Sequence, residues 1–256
     1  MQEKRSKKME LYNQKESVIF FGQISNPFDS FLSNNIVLPN LKGKSARVLD
    51  LGCGAGRNLV AAALMGHNVV GVELYDQPYR LAKKYIMQNR VEGKARIIKK
   101  DFFKLKEGEL GMFDYCILQE VIEHVFDYQR VIKIAYSHLK KGGKLIITTP
   151  YNPKLWNAVD EHAGHVQRFT YSQITDAVKK FSRAKIFITG FPFYRFINFL
   201  YVVYLSITKK KHDTGKFMGN PILFHVYTII VPFLLRIDRI FDFTKLGKAI
   251  IVVAQK

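Results

Sequence analysis

Residues 47–58 constrain the fold of this chain more than any other stretch. They read Arg-Val-Leu-Asp-Leu-Gly-Cys-Gly-Ala-Gly-Arg-Asn, so a short apolar run leads into three alternate glycines, and an apolar, alanine-rich segment follows. Glycine adopts positive φ angles readily and allows a ligand to approach the backbone with no Cβ in the way. The stretch predicts a strand, a tight turn and a helix whose first N–H groups are unpaired.

Strand-like and helix-like runs alternate between residues 46 and 150. Such alternation predicts an α/β fold in which helices cover both faces of a mostly parallel sheet. Beyond residue 150, Ser172 is the expected N-cap of a helix that ends near Phe181. The predicted strands are 46–51, 69–74, 95–99, 113–119, 144–149, 184–190 and 249–253, and the predicted helices of the alternating part are 57–66, 77–91 and 127–140.

The balance of charges is the most unusual feature of the composition. Forty Lys and Arg residues against 21 Asp and Glu residues give a formal net charge of +19. A charge of this size indicates a polyanionic neighbour, which is nucleic acid, an anionic membrane face or an acidic substrate, unless it only solvates the surface. Two cysteines make no disulfide framework, and residues 1–10 are polar, so we expect a cytoplasmic protein without a secretory signal there.

Acidic residues follow the first three predicted strands in order. Asp50 closes the first strand, Glu73 ends the second, and Asp101, with Phe102 beside it, follows the third. Ligands of open α/β sheets bind outside the carboxyl ends of the strands, where these residues fall. A carboxylate offers two acceptor oxygens and can therefore bind a pair of hydroxyl groups.

The Gly-x-Gly-x-Gly spacing behind Val-Leu-Asp-Leu resembles motif I of the class I S-adenosylmethionine (SAM)-dependent methyltransferases. The resemblance implies a Rossmann-like sandwich with a seven-stranded, mostly parallel sheet and an antiparallel last strand. It also implies SAM as the cofactor, with Glu73 on the ribose hydroxyls and Asp101 on the adenine amino group. The cofactor-binding residues implied are Asp50, Gly52, Gly54, Gly56, Glu73, Asp101, Phe102 and Gln119.

A Glu-x-x-Glu-His string follows the fourth strand as Glu120, Glu123 and His124. On a helix, positions i and i+3 share a face, so the two carboxylates and the imidazole would lie together. They make a reasonable site for Mg²⁺ or another divalent ion, and we choose His165 as the fourth ligand.

The same string resembles a metal motif of the ubiquinone-biosynthesis O-methyltransferases and of the small-RNA 2′-O-methyltransferases. The resemblance implies an ion that binds a substrate hydroxyl and lowers its pKa. Two alternatives remain open: His124 or His165 acts as a general base without metal, or the string only packs. The predicted catalytic residues are Glu120, His124 and His165.

Residues 191–247 separate the last two predicted strands and contain two apolar, aromatic runs, 191–205 and 222–235. A transmembrane hairpin would need about twenty apolar residues per span and would move the Lys-rich link at 209–211 across the bilayer. Buried helices that extend the core are a second reading. We favour a third, in which the helices lie in a membrane interface or form an apolar acceptor groove, with anionic lipid attracting the basic surface.

We therefore predict a basic segment with lid helices at 1–42, a SAM-binding core at 43–190, the apolar helical insert at 191–247 and the last core strand at 248–256. The expected function is O-methylation of a hydrophobic or lipid-linked acceptor by a protein bound peripherally at the cytoplasmic face of the cell membrane. The alternatives are an RNA 2′-O-methyltransferase with a divalent metal, whose phosphates the basic surface would hold, and a non-catalytic binding module of the same fold.

Overall fold

A computed structural model describes residues 21–208 and 221–256. The predicted basic start at 1–16 and the Lys-rich link at 209–211 lie outside the described residues. Seven strands form one sheet in the order β3-β2-β1-β4-β5-β7-β6, and β7 runs antiparallel to both of its neighbours. The strands are β1 Arg47–Leu51, β2 Asn68–Glu73, β3 Ala95–Lys99, β4 Phe113–Gln119, β5 Leu139–Pro150, β6 Arg183–Thr189 and β7 Ala249–Gln255. The predicted fold is confirmed.

Nine α-helices flank and extend this sheet in the described part of the chain. Shorter turns are of the π type at Phe21–Ser25 and Ser33–Val37, and of the 3-10 type at Phe102–Lys104, Ile122–His124, Pro153–Leu155 and Arg239–Phe241. The helices are α1 Pro27–Leu32, α2 Leu38–Asn40, α3 Arg57–Leu64, α4 Asp76–Gln88, α5 Tyr128–His138, α6 Ala158–Ala163, α7 Tyr171–Ala177, α8 Phe193–Thr208 and α9 Pro221–Asp238.

The sheet is buried on both faces because successive side chains of a strand point in opposite directions. Leu49 and Leu118 belong to the core on one face, while Val48 and Ile117 belong to the core on the other. Parallel strands covered by helices on both sides need this nearly continuous apolar sequence. The polar residues that follow the strands therefore collect at the carboxyl edge of the sheet.

The predicted N-cap at Ser172 is wrong, and so is the predicted end of that helix near Phe181. Thr170 caps α7, with its hydroxyl accepting the N–H of Gln173 while the Gln173 side chain accepts the N–H of Thr170. This reciprocal capping box satisfies two N–H groups, which Ser172 alone could not do.

The apolar insert folds into a hairpin of α8 and α9 in which one face is buried and the other is exposed. Val231 and Leu235 of α9 pack with Phe31 of α1 and with Ile251 of β7. The opposite faces expose large apolar side chains, with Phe199 61% exposed. Among residues 21–208 and 221–256, none of the helices combines the length and the apolar character needed to cross a bilayer.

Asp238 closes the base of this hairpin. Its fully buried carboxylate accepts the N–H groups of Phe193 and Tyr194, at 2.8 and 2.9 Å, so the end of α9 caps the start of α8. Burial raises the pKa of Asp238, and the two hydrogen bonds act in the opposite direction. The first N–H groups of a helix have no partner within the helix, so this contact satisfies donors that would otherwise be buried and unpaired.

We expect Asp238→Ala to lower the free energy of unfolding by about 1–3 kcal/mol, the cost of leaving hydrogen-bonding groups buried without partners. The midpoint of urea unfolding measures this change. Asp176→Ala removes an exposed carboxylate from α7 and serves as the control, with little expected effect. Equal midpoints for the Asp238 variant and wild type would show that the contact contributes nothing to stability.

Candidate active site

The glycine loop between β1 and α3 has the backbone that its spacing predicts. Gly52, Gly54 and Gly56 have φ angles of 72°, 53° and 89°, all in the left-handed region that favours glycine. A Cβ on Gly52 would lie 3.0 Å from the Val121 side chain, so the close approach to the next loop also requires glycine. The loop thus presents backbone, and not side chains, at the carboxyl edge of the sheet.

Glu73 supports this loop from the end of β2. Its buried carboxylate accepts the N–H of Gly54 at 3.0 Å through Oε2 and the N–H of Tyr75 at 2.8 Å through Oε1. Each carboxylate oxygen has a second lone pair, so these bonds leave acceptor capacity for ligand hydroxyl groups. The ribose role of Glu73 stays a prediction.

Asp50 lies beneath the same loop and is 2% exposed. Burial, together with the nearby Glu73 carboxylate, raises its pKa to about 7. Its Oδ2 atom and Nη2 of Arg57 are buried, and neither has a hydrogen-bond partner among the residues that the structure describes. One unused acceptor and one unused donor therefore lie beside the glycine loop.

The segment before α1 covers the glycine loop. The Ala55 N–H donates to Oε1 of Gln23 at 2.8 Å, and Nε of Arg57 donates to the Ile24 carbonyl at 3.1 Å. The sequence predicts a lid at this position but not these residues, because a contact between parts of the chain this far apart leaves no local pattern.

Of the other three predicted cofactor contacts, Asp101 and Gln119 have side-chain hydrogen bonds within the protein. Oδ1 of Asp101 accepts the N–H of Phe103 at 2.9 Å, which caps the short turn at Phe102–Lys104. The Gln119 amide accepts from Ser33 and Asn58 and donates to the Asp29 carbonyl, each at 2.9 Å. Contacts of Asp101, Phe102 and Gln119 with a cofactor stay predictions, and Gln119 in addition anchors α1 to the end of β4.

The expectation that Glu120 shares a helical face with Glu123 is wrong. Glu120 has a φ of 52°, and only the single 3-10 turn Ile122–His124 follows it. Its Oε1 accepts the Thr148 hydroxyl at 2.9 Å. Burial, with Asp29 as a neighbouring carboxylate, raises the pKa of Glu120 to about 8.

The other three predicted ligands do come together. Oε1 of Glu123 is fully buried, accepts no hydrogen bond from the described residues, and lies 4.0 Å from Nε2 of His124 and 4.0 Å from Nε2 of His165. One ligand atom from each residue lies within 4.8 Å of the others. Burial and the nearby Glu120 carboxylate raise the pKa of Glu123 well above its usual value. An unpartnered oxygen that faces two imidazole nitrogens fits a bound cation.

Hydrogen bonds behind the cluster fix the two rings. Nδ1 of His165 lies 2.8 Å from Oδ1 of Asp160, and Nδ1 of His124 lies 3.3 Å from the Gly164 carbonyl. Arg168 donates from Nε and Nη2 to the two oxygens of Asp160, each at 2.8 Å. Although burial opposes ionisation, these hydrogen bonds lower the pKa of Asp160 to about 2. A carboxylate behind a histidine is the usual support of a metal ligand.

Sequence reasoning missed five charged residues around the cluster. Burial, with Arg168 as a neighbouring cation, lowers the pKa of Lys248 to about 7, and its Nζ lies 5.2 Å from the centre of the Tyr194 ring. The only local signal was the Asp-Glu-His-x-x-His-x-x-Arg spacing at 160–168. The missed residues are Asp29, Arg57, Asp160, Arg168 and Lys248.

A family model described as a methyltransferase domain matches residues 29–181, more than half of the 256 residues. The match includes the glycine loop, the three strand-end acids and the cluster of Glu123, His124 and His165. The predicted resemblance is confirmed at the level of the family.

Curated relatives are similar over a little less than half of the chain. The ubiquinone biosynthesis O-methyltransferase of Pseudomonas putida (strain W619) is 35% identical over 118 residues, which are 46% of this chain and 49% of that protein. The protein of the same description from Xanthomonas axonopodis pv. citri (strain 306) is 32% identical over 113 residues, 44% of this chain and 46% of that protein. The chain spans about half the length of the curated relatives it matches.

Solved structures show the same fold at lower identity. Phosphoethanolamine N-methyltransferase 2 of Haemonchus contortus, in complex with SAM, is 18% identical with a TM-score of 0.60, over 93% of this chain and 55% of that chain. A SAM-dependent methyltransferase from Archaeoglobus fulgidus is also 18% identical, with a TM-score of 0.56, over 90% of this chain and 93% of that chain. Identities this low carry the fold alone.

We expect Glu73→Ala to weaken SAM binding by about 1–3 kcal/mol, because ligand hydroxyl groups and the Gly54 N–H would lose a buried acceptor. Isothermal titration calorimetry with SAM measures the loss. Glu92→Ala removes an exposed carboxylate and is the matched control. An unchanged affinity of the Glu73 variant would refute the ribose assignment.

Proposed function

This chain belongs to the methyltransferase domain family, and we propose that it transfers the methyl group of SAM to an oxygen of a hydrophobic acceptor at a membrane face. The observation that carries the proposal is the arrangement at the carboxyl edge of the sheet. There a glycine loop with a supporting carboxylate adjoins a cluster of one buried carboxylate and two half-buried imidazoles. The glycine loop and its carboxylate suit binding of the cofactor, and the cluster suits activation of a hydroxyl group.

Two polar groups without hydrogen bonds beside the glycine loop support the cofactor assignment, one on Asp50 and one on Arg57, whose Nη2 lies 3.9 Å from the Asp29 carboxylate. The methionine part of SAM carries an amino group and a carboxylate. Oδ2 of Asp50 is an unused acceptor for the former, and Nη2 of Arg57 is an unused donor for the latter. Burial makes each pairing valuable, since a buried polar group without a partner costs free energy.

The reaction needs a base as well as a methyl donor. The acceptor oxygen forms a bond to the methyl carbon, the carbon–sulfur bond breaks to give S-adenosylhomocysteine, and the hydroxyl proton passes to a base. His124 and His165 are candidates for this base, since the nitrogen of a neutral imidazole can accept a proton. Glu120 is a third candidate, because its raised pKa of about 8 makes its carboxylate a stronger base than usual.

The same cluster suits a divalent cation, which would bind Oε1 of Glu123 and Nε2 of His124 and His165. Such an ion lowers the pKa of a bound hydroxyl group. Two imidazoles and one carboxylate favour a transition metal such as Mn²⁺, Fe²⁺ or Zn²⁺, whereas Mg²⁺ prefers oxygen ligands. We therefore replace the expected Mg²⁺ by a transition metal and leave Glu120 outside the ligand set.

The exposed face of the α8–α9 hairpin supports a hydrophobic acceptor and contact with a membrane. Most of the exposed large apolar side chains of the described residues lie between 193 and 246, and Phe196, Phe199 and Phe233 are each about 60% exposed. Contiguous apolar surface of this kind marks an interaction site. The net charge of +19 favours an anionic lipid surface over a neutral one.

The hairpin also links the membrane face to the cluster. Tyr194 at the start of α8 stacks on Phe28 of α1, with ring centres 4.2 Å apart, and Lys248 lies against the same Tyr194 ring. An apolar acceptor that enters along the hairpin would therefore meet the charged residues of the site. RNA, the alternative acceptor, has no use for this apolar surface and is not favoured.

The proposed activity predicts that methyl label from SAM enters the lipid fraction of a host membrane extract, and not its RNA or protein. The test is incubation of the full chain with labelled SAM and the extract, followed by separation of the three fractions. Label confined to RNA would contradict the lipid acceptor and favour the alternative.

The same assay tests the metal. We expect EDTA and His165→Ala each to reduce the label at least tenfold, and His165→Ala to lower the metal content of the purified protein. His225→Ala, which removes an exposed histidine of α9, is the control. Full activity in EDTA, with no bound transition metal, would contradict the metal role and leave His124, His165 or Glu120 as the base.

We expect Phe196→Ser, Phe199→Ser and Phe233→Ser together to lower binding to anionic vesicles at least tenfold, because a buried Phe side chain contributes about 1.5–3 kcal/mol. Co-sedimentation with phosphatidylglycerol vesicles measures the binding. Leu64→Ser with Met87→Ser removes apolar groups of similar exposure outside the hairpin and serves as the control. Equal binding of the triple variant and the wild type to the vesicles would contradict the proposal that the hairpin contacts a membrane.

A further inference from the structure

A cleft of about 420 Å³ lies at the amino edge of the sheet, away from the candidate active site. Two loops form it, one before β1 and one in the first part of β5. Its lining is rich in lysine and glycine and consists of Lys42, Gly43, Lys44, Ser45, Ala46, Asp114, Tyr115, Lys140, Lys141, Gly142, Gly143 and Lys144.

The only carboxylate of this lining already has partners. Oδ1 of Asp114 is 2.7 Å from Nζ of Lys140, and its Oδ2 accepts the N–H of Arg47 at 2.8 Å. Within residues 21–208 and 221–256, the other four lysines of the cleft have no carboxylate oxygen within 4.0 Å, so their positive charges are not neutralised by ion pairs. These four are Lys42, Lys44, Lys141 and Lys144.

Both loops that line the cleft contain residues with left-handed backbone. Gly43 and Ser45 have φ angles of 87° and 55°, two left-handed residues at alternate positions. Consecutive N–H groups in such bends form concave anion sites, and those of Gly43, Lys44 and Ser45 donate no hydrogen bond to the described residues. In the other loop, a Cβ on Gly143 would lie 3.0–3.2 Å from three carbonyl oxygens, so glycine is required for this turn.

We propose that this cleft binds the phosphate chain of a soluble anion, such as pyrophosphate or a nucleotide. Lysine binds phosphate as a compact point charge, and a cleft with an excess of positive charge, here five lysines against one carboxylate, concentrates anions. The volume is in the range of small-molecule sites. The proposed methyl transfer does not use this cleft, and the net charge of +19 gives it a favourable surrounding field.

The position of the cleft favours a soluble ligand over a lipid headgroup. The α8–α9 hairpin follows β6, whose carboxyl end lies at the same edge as those of β1 to β5, because β5 and β6 are both antiparallel to β7. The cleft lies at the other edge, roughly 20 Å away at about 3.3 Å per strand residue. If the hairpin binds a membrane, the cleft faces the solvent. Only this preference for a soluble ligand rests on the proposed function.

The test is calorimetric titration of the full chain with pyrophosphate at low salt. We expect saturable binding that weakens with added salt, and at least a tenfold loss of affinity in the double variant Lys44→Glu with Lys141→Glu. Lys83→Glu with Lys133→Glu makes the same change in net charge on exposed helix positions and should retain binding. SAM binding, measured on the same samples, should be equal in all three proteins.

Equal losses in the two double variants would overturn the site, since net charge alone would then explain the binding. Phosphatidate vesicles or a short RNA that bind through Lys44 and Lys141 when pyrophosphate does not would overturn it as well. If the wild-type protein binds pyrophosphate but transfers no methyl group, the proposed function fails and the cleft proposal stands. The two failures are therefore distinguishable.

Discussion

The carboxylate of Glu73 and the backbone of the glycine loop make the contact on which the candidate site depends. One buried side chain accepts the N–H groups of Gly54 and Tyr75, and it thereby holds a loop of left-handed glycines at the end of β1. The N–H groups of Gly52 and Cys53 also donate to the Val72 carbonyl, at 2.8 and 3.2 Å, so the end of β2 holds the loop through both side chain and backbone. Because neighbouring parallel strands end at the same edge, the loop after β1 and the acid after β2 are brought together by the sheet itself.

The second constraint is the concentration of buried acids at that edge. Burial raises the pKa values of Asp29, Glu120 and Glu123. The Asp29 carboxylate raises those of Glu120 and Glu123 further, and the Glu120 carboxylate adds to the rise at Glu123. Cations from distant parts of the chain offset this, with Arg57 beside Asp29 and Lys248 facing Glu120. A cation bound at the oxygen of Glu123 would have the same effect, so electrostatic stability and the proposed chemistry depend on the same arrangement.

The sequence by itself determined the α/β fold, the position of the glycine loop and the order of the strand-end acids. These features are local: the apolar period sets strand or helix, and only glycine tolerates the loop backbone without strain. It also placed Glu123, His124 and His165 in one site, although His165 is far along the chain from the other two.

The tertiary structure decided what no short window of sequence contains. A φ of 52° at Glu120, fixed by its surroundings, removes it from the face of Glu123. Lys248 enters the site because β7 returns between β5 and β6, and one face of α9 is buried because α1 and β7 meet it. Charge and packing act through space, so residues distant in sequence determine the pKa values of the site and the buried face of α9. Backbone preference acts between neighbours along the chain, so it can be predicted from the sequence.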